Sequence, residues 1–268
     1  MQKTSCDNLI IIRGGGDLAT GIAVRLFNSG FQVMILETEK PSFIRRTVSL
    51  GMAVYKGEAT VENVRAVHYD SFTMTDDHIP VLTDSNMTVL GHISPLALVD
   101  AVIAKKNIGL TIDKADIVIA LGPGFTAGEN CHAVIETMRG HSLGRVIYEG
   151  KASADTGTPG IINGIGKERV IHALCTGKLS IIKDISSTVR KDETIAMIDD
   201  TPVKATIDGI IRGMITDGYA VHQGMKIADI DPRESEVKNC YTVSDKARAL
   251  GGSVLEAVLN LRKKNDRS

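Results

Sequence analysis

Residues 8–30, Asn-Leu-Ile-Ile-Ile-Arg-Gly-Gly-Gly-Asp-Leu-Ala-Thr-Gly-Ile-Ala-Val-Arg-Leu-Phe-Asn-Ser-Gly, constrain this chain more than any other stretch. A β-branched run enters a triple-glycine loop and a helical pattern leaves it. Leu18, Ile22 and Leu26 recur at i, i+4 spacing, and Gly30 stands where a helix C-terminal cap belongs. Gly14, Gly16 and Ala19 fit G-x-G-x-x-G/A, in which the first glycine makes the turn, the second admits a pyrophosphate and the third lets helix and strand approach. Gly15 and Asp17 complete the loop. A second apolar run, Phe31 to Leu36, ends in Glu37, about 20 residues on, where a carboxylate can accept ribose hydroxyls. Asp17 cuts the other way. At the mouth of the helix its carboxylate can cap free N–H groups and repel a phosphate, so it reads equally as an N-cap.

A second glycine-rich loop, Gly122-Pro123-Gly124-Phe125-Thr126-Ala127-Gly128, follows the apolar strand Asp116 to Leu121. In open α/β sheets ligands bind outside the carboxyl ends of strands, so this loop is expected to face Gly14–Gly16 across a shared site. Backbone N–H groups around Gly122 and Gly124 would form an anion nest, with Phe125 and Thr126 beside it. The simpler reading is a tight turn that needs glycine for positive φ. Arg45 and Arg46, close after the second strand, either clamp a phosphate or pair with Glu37 or Glu39 on the surface. His132, His141 and Cys131 follow the second loop without metal-ligand spacing, and each reads more simply as a structural residue.

Along the rest of the first part, Met52–Tyr55, Pro80–Leu82, Met87–Leu90 and Arg145–Tyr148 read as short strands. Ser94 and Pro95 read as the cap and first turn of a helix to Lys106. Ala152–Gly160 reads as a linker. Thereafter short alternating runs, Lys178–Ile182, Thr194–Ile198, Val203–Ile207, Ile210–Ile215 and Lys226–Ile230, predict a small all-β unit. Their Val189…Glu193, Val203-x-Ala205-x3-Gly209 and Asp217-Gly218…Gly224 order is similar to the hammerhead of biotinyl and lipoyl carriers. The modifiable lysine's place holds Asp199-Asp200-Thr201, which turns the expectation from a swinging arm to a covering or docking piece. Ser244–Lys264 reads as one helix interrupted by Gly251-Gly252, packed back on the α/β part. The expected fold is thus α/β: a Rossmann-like doubly wound sheet (1–160), a hammerhead or barrel-sandwich hybrid (161–234) and a C-terminal helical segment (235–268).

Composition narrows the function. The 268 residues carry a net charge of −1, and the only basic run is Arg262-Lys263-Lys264, so neither nucleic acid nor an anionic membrane is an expected partner. No window of about eighteen apolar residues and no signal-like start is present, which predicts a cytoplasmic protein. Four separated cysteines, Cys6, Cys131, Cys175 and Cys240, suggest neither zinc knuckle nor disulfide framework, and no metal site is expected.

Six segments together carry a resemblance: Gly14–Gly21, Ile44-Arg45-Arg46, Glu58–Glu62, Ala120–Gly128, Val134–Val146 and Ile230-Asp231-Pro232-Arg233. The chain resembles the YqeB-type accessory proteins of selenium-dependent molybdenum hydroxylases, a family related to the XdhC-type molybdenum cofactor chaperones. The resemblance implies a maturation protein that handles molybdopterin or its dinucleotide and meets a client hydroxylase, with homo-oligomerisation open. Two alternatives stand beside it. One is an NAD(P)-dependent oxidoreductase, which needs a proton donor from His132 or His141; the other is an adaptor that docks without a small molecule.

Overall fold

The computed structural model describes residues 3–157 and 163–265. The chain divides into two compact units: Met1–Pro41 with Ser49–Thr156 and Val243–Ser268, and Ser42–Val48 with Gly157–Thr242. Residues 158–160, the end of the expected linker and its boundary, lie outside the described residues.

The first unit is built on one nine-stranded sheet. Its strands are β1 (Thr4–Arg13), β2 (Gln32–Glu37), β3 (Glu58–Val61), β4 (Val64–Tyr69), β5 (Ile79–Thr83), β6 (Ile93–Asp100), β7 (Ile117–Leu121), β8 (Ala133–Ile135) and β9 (Val146–Ile147), in the order β3-β4-β5-β2-β1-β6-β7-β8-β9. Pairings from β4 to β8 across the order are parallel; β3 and β9 run antiparallel at the edges. The centre of the sheet is dry: Ile10, Ile11, Ile12, Ile35, Leu98, Val99 and Ile119 are wholly buried, as a strand covered on both faces requires.

Two helices, α1 (Asp17–Phe27) and α3 (Asp245–Asn265), pack on each other, and the one-turn α2 (Ala53–Lys56) lies against β3–β5. One face of the sheet, carrying Leu9, Ile11, Met34, Leu98 and Val118, is covered instead by Met87, Leu90, Leu110, Phe125 and Cys131 from loops and a 3₁₀ turn; no helical residue joins that cluster. The links β5–β6, β6–β7 and β7–β8 contain no α-helix.

This corrects the expected fold class. The large sheet is mixed and helix-covered on one side, whereas a doubly wound sheet has helices on both. The smaller unit is not an appended hammerhead either. It comprises two four-stranded antiparallel sheets. Its strands are β10 (Val170–His172), β11 (Gly177–Ile181), β12 (Thr188–Val189), β13 (Thr194–Ile198), β14 (Thr201–Lys204), β15 (Gly209–Met214), β16 (Ala220–Val221) and β17 (Lys226–Asp231), ordered β10-β17-β15-β12 and β14-β13-β11-β16 around one core. It also takes in the distant segment Ser42–Val48: Met214 N–H donates to Ile44 O at 2.8 Å, and a Cβ on Gly213 would fall 2.6 Å from the Ile44 side chain. The Ile230–Arg233 motif is an ionic knot here. Wholly buried Asp231 receives Arg212 at 3.0 Å and Arg233 at 2.9 and 2.8 Å.

Three local expectations also change. Ile93–Asp100 is strand, not helix, because Leu96–Val99 fills the space between β1 and β7; Pro95 stands opposite Cys6, where the β1 register shifts and a missing N–H is tolerated. Met52–Tyr55 is helical, coiling from a 3₁₀ turn (Leu50–Met52) into α2, and Met87–Leu90 coils into a second 3₁₀ turn, capped by Asp84. Short apolar runs have no period long enough to separate strand from turn.

The α1–α3 contact depends on glycine. A Cβ on Gly21 would lie 2.6 Å from Ala247 Cβ, and one on Gly251 would lie 2.6 Å from Gly21 O and 2.9 Å from Arg25 Cβ. The close approach that the tail glycines permit is therefore to another helix. Gly252 faces open space. Gly21→Val should destabilise the first unit by about 1–3 kcal/mol through overpacking, whereas Gly252→Ala should stabilise it by about 0.5–1 kcal/mol. Urea midpoints of the two variants against wild type check both signs.

Candidate functional site

Because β1, β2 and β4–β8 all run the same way, the residues that follow them gather along one edge of the sheet. Gly14–Asp17 stand there after β1, Glu37 at the end of β2, Asp100 at the end of β6, Gly122–Phe125 after β7 and Glu136–Arg139 after β8. The strand order reverses direction at β1 and β6, the position where open sheets leave a crevice.

Much of the glycine in that edge serves chain-on-chain packing. A Cβ on Gly14 would lie 3.2 Å from Val102 N, and one on Gly124 would lie 2.6 Å from Lys106 Cα, so residues 101–106 rest on both glycine loops. A Cβ on Gly15 would fall 2.6 Å from Gly51 Cα, in the 3₁₀ turn Leu50–Met52. Gly16 differs. It is the N-cap of α1 at φ −70° and ψ −177°, a conformation open to any residue.

Glu37 is nine-tenths buried. Its Oε2 accepts the Gly15 N–H at 2.7 Å and its Oε1 accepts the Thr38 N–H at 2.8 Å. Burial pushes its carboxyl above the ordinary range, and the two N–H groups pull the other way. The loop therefore already holds an internal hydrogen-bond acceptor at Gly15. The amides left for a ligand are those at the start of α1, where Gly16 and Leu18 donate to no acceptor among the described residues.

The other sequence-read residues are dispersed. Phe125 is core, 2% exposed, and Thr126 closes its own turn, donating its N–H to Asn130 Oδ1 at 2.8 Å. Arg45 and Arg46 belong to the smaller unit: Arg45 donates to Asn239 O and Arg46 to Met214 O, each at 2.9 Å, and Arg46 also pairs with Asp184. His132 precedes β8 at the amino edge, opposite the glycine loops, and its Nδ1 accepts the Val118 N–H at 2.9 Å. Burial lowers its pKa. His141 is exposed on the loop after β8.

Sequence reading missed the groups that give this edge its charge. Arg13, at the end of β1, is buried with Asp100 at 3.0 Å and donates to the Ser85 and Ile108 carbonyls, fastening the loops beyond β5 and β6 beneath the crevice. Desolvation raises the Asp100 carboxyl while Arg13 opposes the shift. α3 brings a second cation. Its contacts advance with those of α1, Ala247 against Gly21 and Gly251 against Arg25, so the helices run in the same sense and their N-termini open on the same edge. Lys246, in the first turn of α3, is half-buried and makes no hydrogen bond or ion pair among the described residues. Burial draws its pKa down and Arg139 adds to that, while Asp17, Glu136 and Asp245 act in the other direction. Arg139 is held by Asp245 at 3.0 Å. Nothing in the sequence reading pointed to Arg13, and Lys246 lies too far along the chain for a motif to join it to the first helix.

Among the described residues, no group of three or more His, Cys, Asp or Glu side chains could hold a metal ion, and no helix is long and apolar enough to cross a membrane. No family model matches the chain. Over 258 residues it is 48% identical to a protein of Escherichia coli (strain K12) named Uncharacterized protein YqeB, a match that covers 94% of this chain and 48% of that protein. The chain is thus similar to YqeB along nearly all its length and spans about half the length of that relative. Solved structures show only slight likeness. The product-bound ectoine utilization protein EutE (DoeB) from Ruegeria pomeroyi has 9% identity and a TM-score of 0.30, covering 85% of this chain and 86% of that one. A succinylglutamate desuccinylase/aspartoacylase from Rhodobacter sphaeroides has 14% identity and a TM-score of 0.27 over the same shares. Neither likeness is large enough to carry the fold.

Cys131, beside the second glycine loop, is wholly buried, and burial pushes its thiol up to about 12. Its thiolate fraction at pH 8 is then on the order of one in ten thousand. Iodoacetamide at pH 8 should leave Cys131 unmodified in the native protein and alkylate it fully in urea, as peptide mass spectrometry will show. Rapid native labelling would mean that the loop opens.

Proposed function

We propose that the first unit binds a phosphate-bearing pterin, molybdopterin or its dinucleotide, at the carboxyl edge of its sheet, and that the protein serves as an accessory factor in molybdenum hydroxylase maturation. The observation that carries the anionic part is the convergence of the α1 and α3 N-termini, with half-buried Lys246 in the first turn of α3 making no hydrogen bond or ion pair among the described residues. Two helix ends of partial positive charge and an ammonium favour an anion between them, with Asp17 and Asp245 in the first turns of α1 and α3 supplying part of the compensation already. The pterin and the client rest on the six matching segments and on the similarity to YqeB.

The residues present suit a phosphate. Gly16 and Leu18 offer amides, Lys246 offers an ammonium, and Glu37, spent on Gly15 and Thr38, stays at the back of the loop. The cofactor would bring its own redox and sulfur chemistry; this chain would bind, orient and shield it. Hydride transfer with NAD(P) is less well served, because His132 stands at the far edge and leaves only exposed His141 as a proton donor.

Gly16→Val adds a side chain at the N-cap of α1, whose φ and ψ suit any residue, and Lys246→Ala removes the ammonium. Mass spectrometry of the small molecule released from anoxically purified protein should identify a molybdopterin species. Calorimetry with that species should show no binding to Gly16→Val and a loss of about tenfold to a hundredfold in Lys246→Ala, the worth of one charge-assisted hydrogen bond. If both variants bind as tightly as wild type, the site lies elsewhere.

A further inference from the structure

A second concavity in the first unit has the opposite chemistry. Beyond the carboxyl ends of β4 and β5 lies a cavity of about 300 Å³, bounded by His68–Phe72, Leu82–Asp84 and the 3₁₀ turn that leads to His92. No lysine or arginine lines it; two carboxylates do, those of Asp70 and Asp84. Asp84 is rigid. Its Oδ1 accepts the Thr88 N–H and Oγ1 at 2.8 and 3.0 Å, and its Oδ2 accepts the Val89 N–H at 2.9 Å. Asp70 is exposed and makes no hydrogen bond or ion pair among the described residues.

The walls are aromatic. Tyr69 is locked by its Oη contact with His78 Nε2 at 2.9 Å and by ring stacking at 5.8 Å, so its position is set before any ligand arrives. Phe72 is 38% exposed at the rim, a large apolar side chain with little of its own to cover it. His68 is likewise held, its Nε2 2.9 Å from Thr83 Oγ1.

Carboxylates in a cavity that no lysine or arginine lines disfavour an anionic ligand, and aromatic faces attract cations. The His, Asp and Glu side chains here do not form a group able to hold a metal ion. What fits is a cation with an apolar body. We propose that this cavity binds a small organic ammonium ion, its charge between Asp70 and the Asp84 carboxylate and its carbon body against Tyr69 and Phe72. Its lining residues differ from those of the proposed anion site, although both lie along the carboxyl edge and the Asp84 N–H donates to Glu37 O at 3.0 Å.

The test titrates the whole chain, by NMR and calorimetry, with choline and 1,4-diaminobutane as probes and with glucose and inorganic phosphate as neutral and anionic counterparts. Saturable binding of at least one amine with Kd at or below about 1 mM is expected. Asp70→Asn should weaken it at least tenfold and Phe72→Ala severalfold, both at exposed positions that leave the fold intact. Lys246→Ala should leave it unchanged, which separates this site from the anion site. Glucose or phosphate binding more tightly than either amine, the absence of saturable amine binding, or amine binding indifferent to both substitutions would overturn the proposal.

Discussion

The contact on which the first unit depends is the backbone-close crossing of α1 and α3 at Gly21 and Gly251. It is made by two positions without side chains, more than two hundred residues apart, and it determines the relative direction of the helices. Because α1 leaves β1 at the carboxyl edge and α3 follows the same sense, both positive helix ends and Lys246 come to that edge. A side chain at either glycine would push the helices apart and disperse the charge as well as the packing. The stability of the first unit and the anion site proposed above both depend on this one contact.

The glycine loops show how packing and binding compete for the same residue type. Gly14, Gly15 and Gly124 each admit another stretch of backbone, Val102, Gly51 and Lys106 respectively, so their lack of a Cβ is explained before any ligand is invoked. Glu37 strengthens the point, since its buried carboxylate satisfies the Gly15 amide from inside. What remains open is narrower than a full pyrophosphate cradle: the first amides of α1. That geometry suits a single phosphate group more directly than an extended one.

Charge is segregated within the same unit. The α1–α3 end of the carboxyl edge carries the helix N-termini and Lys246, with Asp17 and Asp245 in the same first turns, while the β4–β5 end is acidic and aromatic. The smaller unit keeps its arginines occupied: Arg212 and Arg233 on Asp231, Arg46 on Asp184, Arg169 on Asp229. Asp231 illustrates the balance. Burial would raise its carboxyl, yet Arg233 and Arg212 hold it below the ordinary value, so this knot favours folding at neutral pH and loosens in acid as the carboxyl takes up a proton.

Local order determined a good deal. The β1–loop–α1 unit, the β7 strand before the second glycine loop and the tail helix were legible because each has a long period or a sharp boundary: Leu9–Ile12 into Gly14, Ile117–Leu121 into Gly122, Ala247 to Leu261 at helical spacing. Short segments such as Met52–Tyr55 and Met87–Leu90 were not, since four apolar residues suit strand and turn alike. Which face of the sheet would lack helices, that Ser42–Val48 would join the distant β-strands, that Arg45 and Arg46 would lie in a different unit from Gly14–Gly16, and that Gly251 would close on Gly21 were decided only by tertiary structure. The physical reason is that sequence encodes neighbours a few residues apart through backbone geometry, whereas contacts across two hundred residues are selected by how all the buried surfaces fit at once.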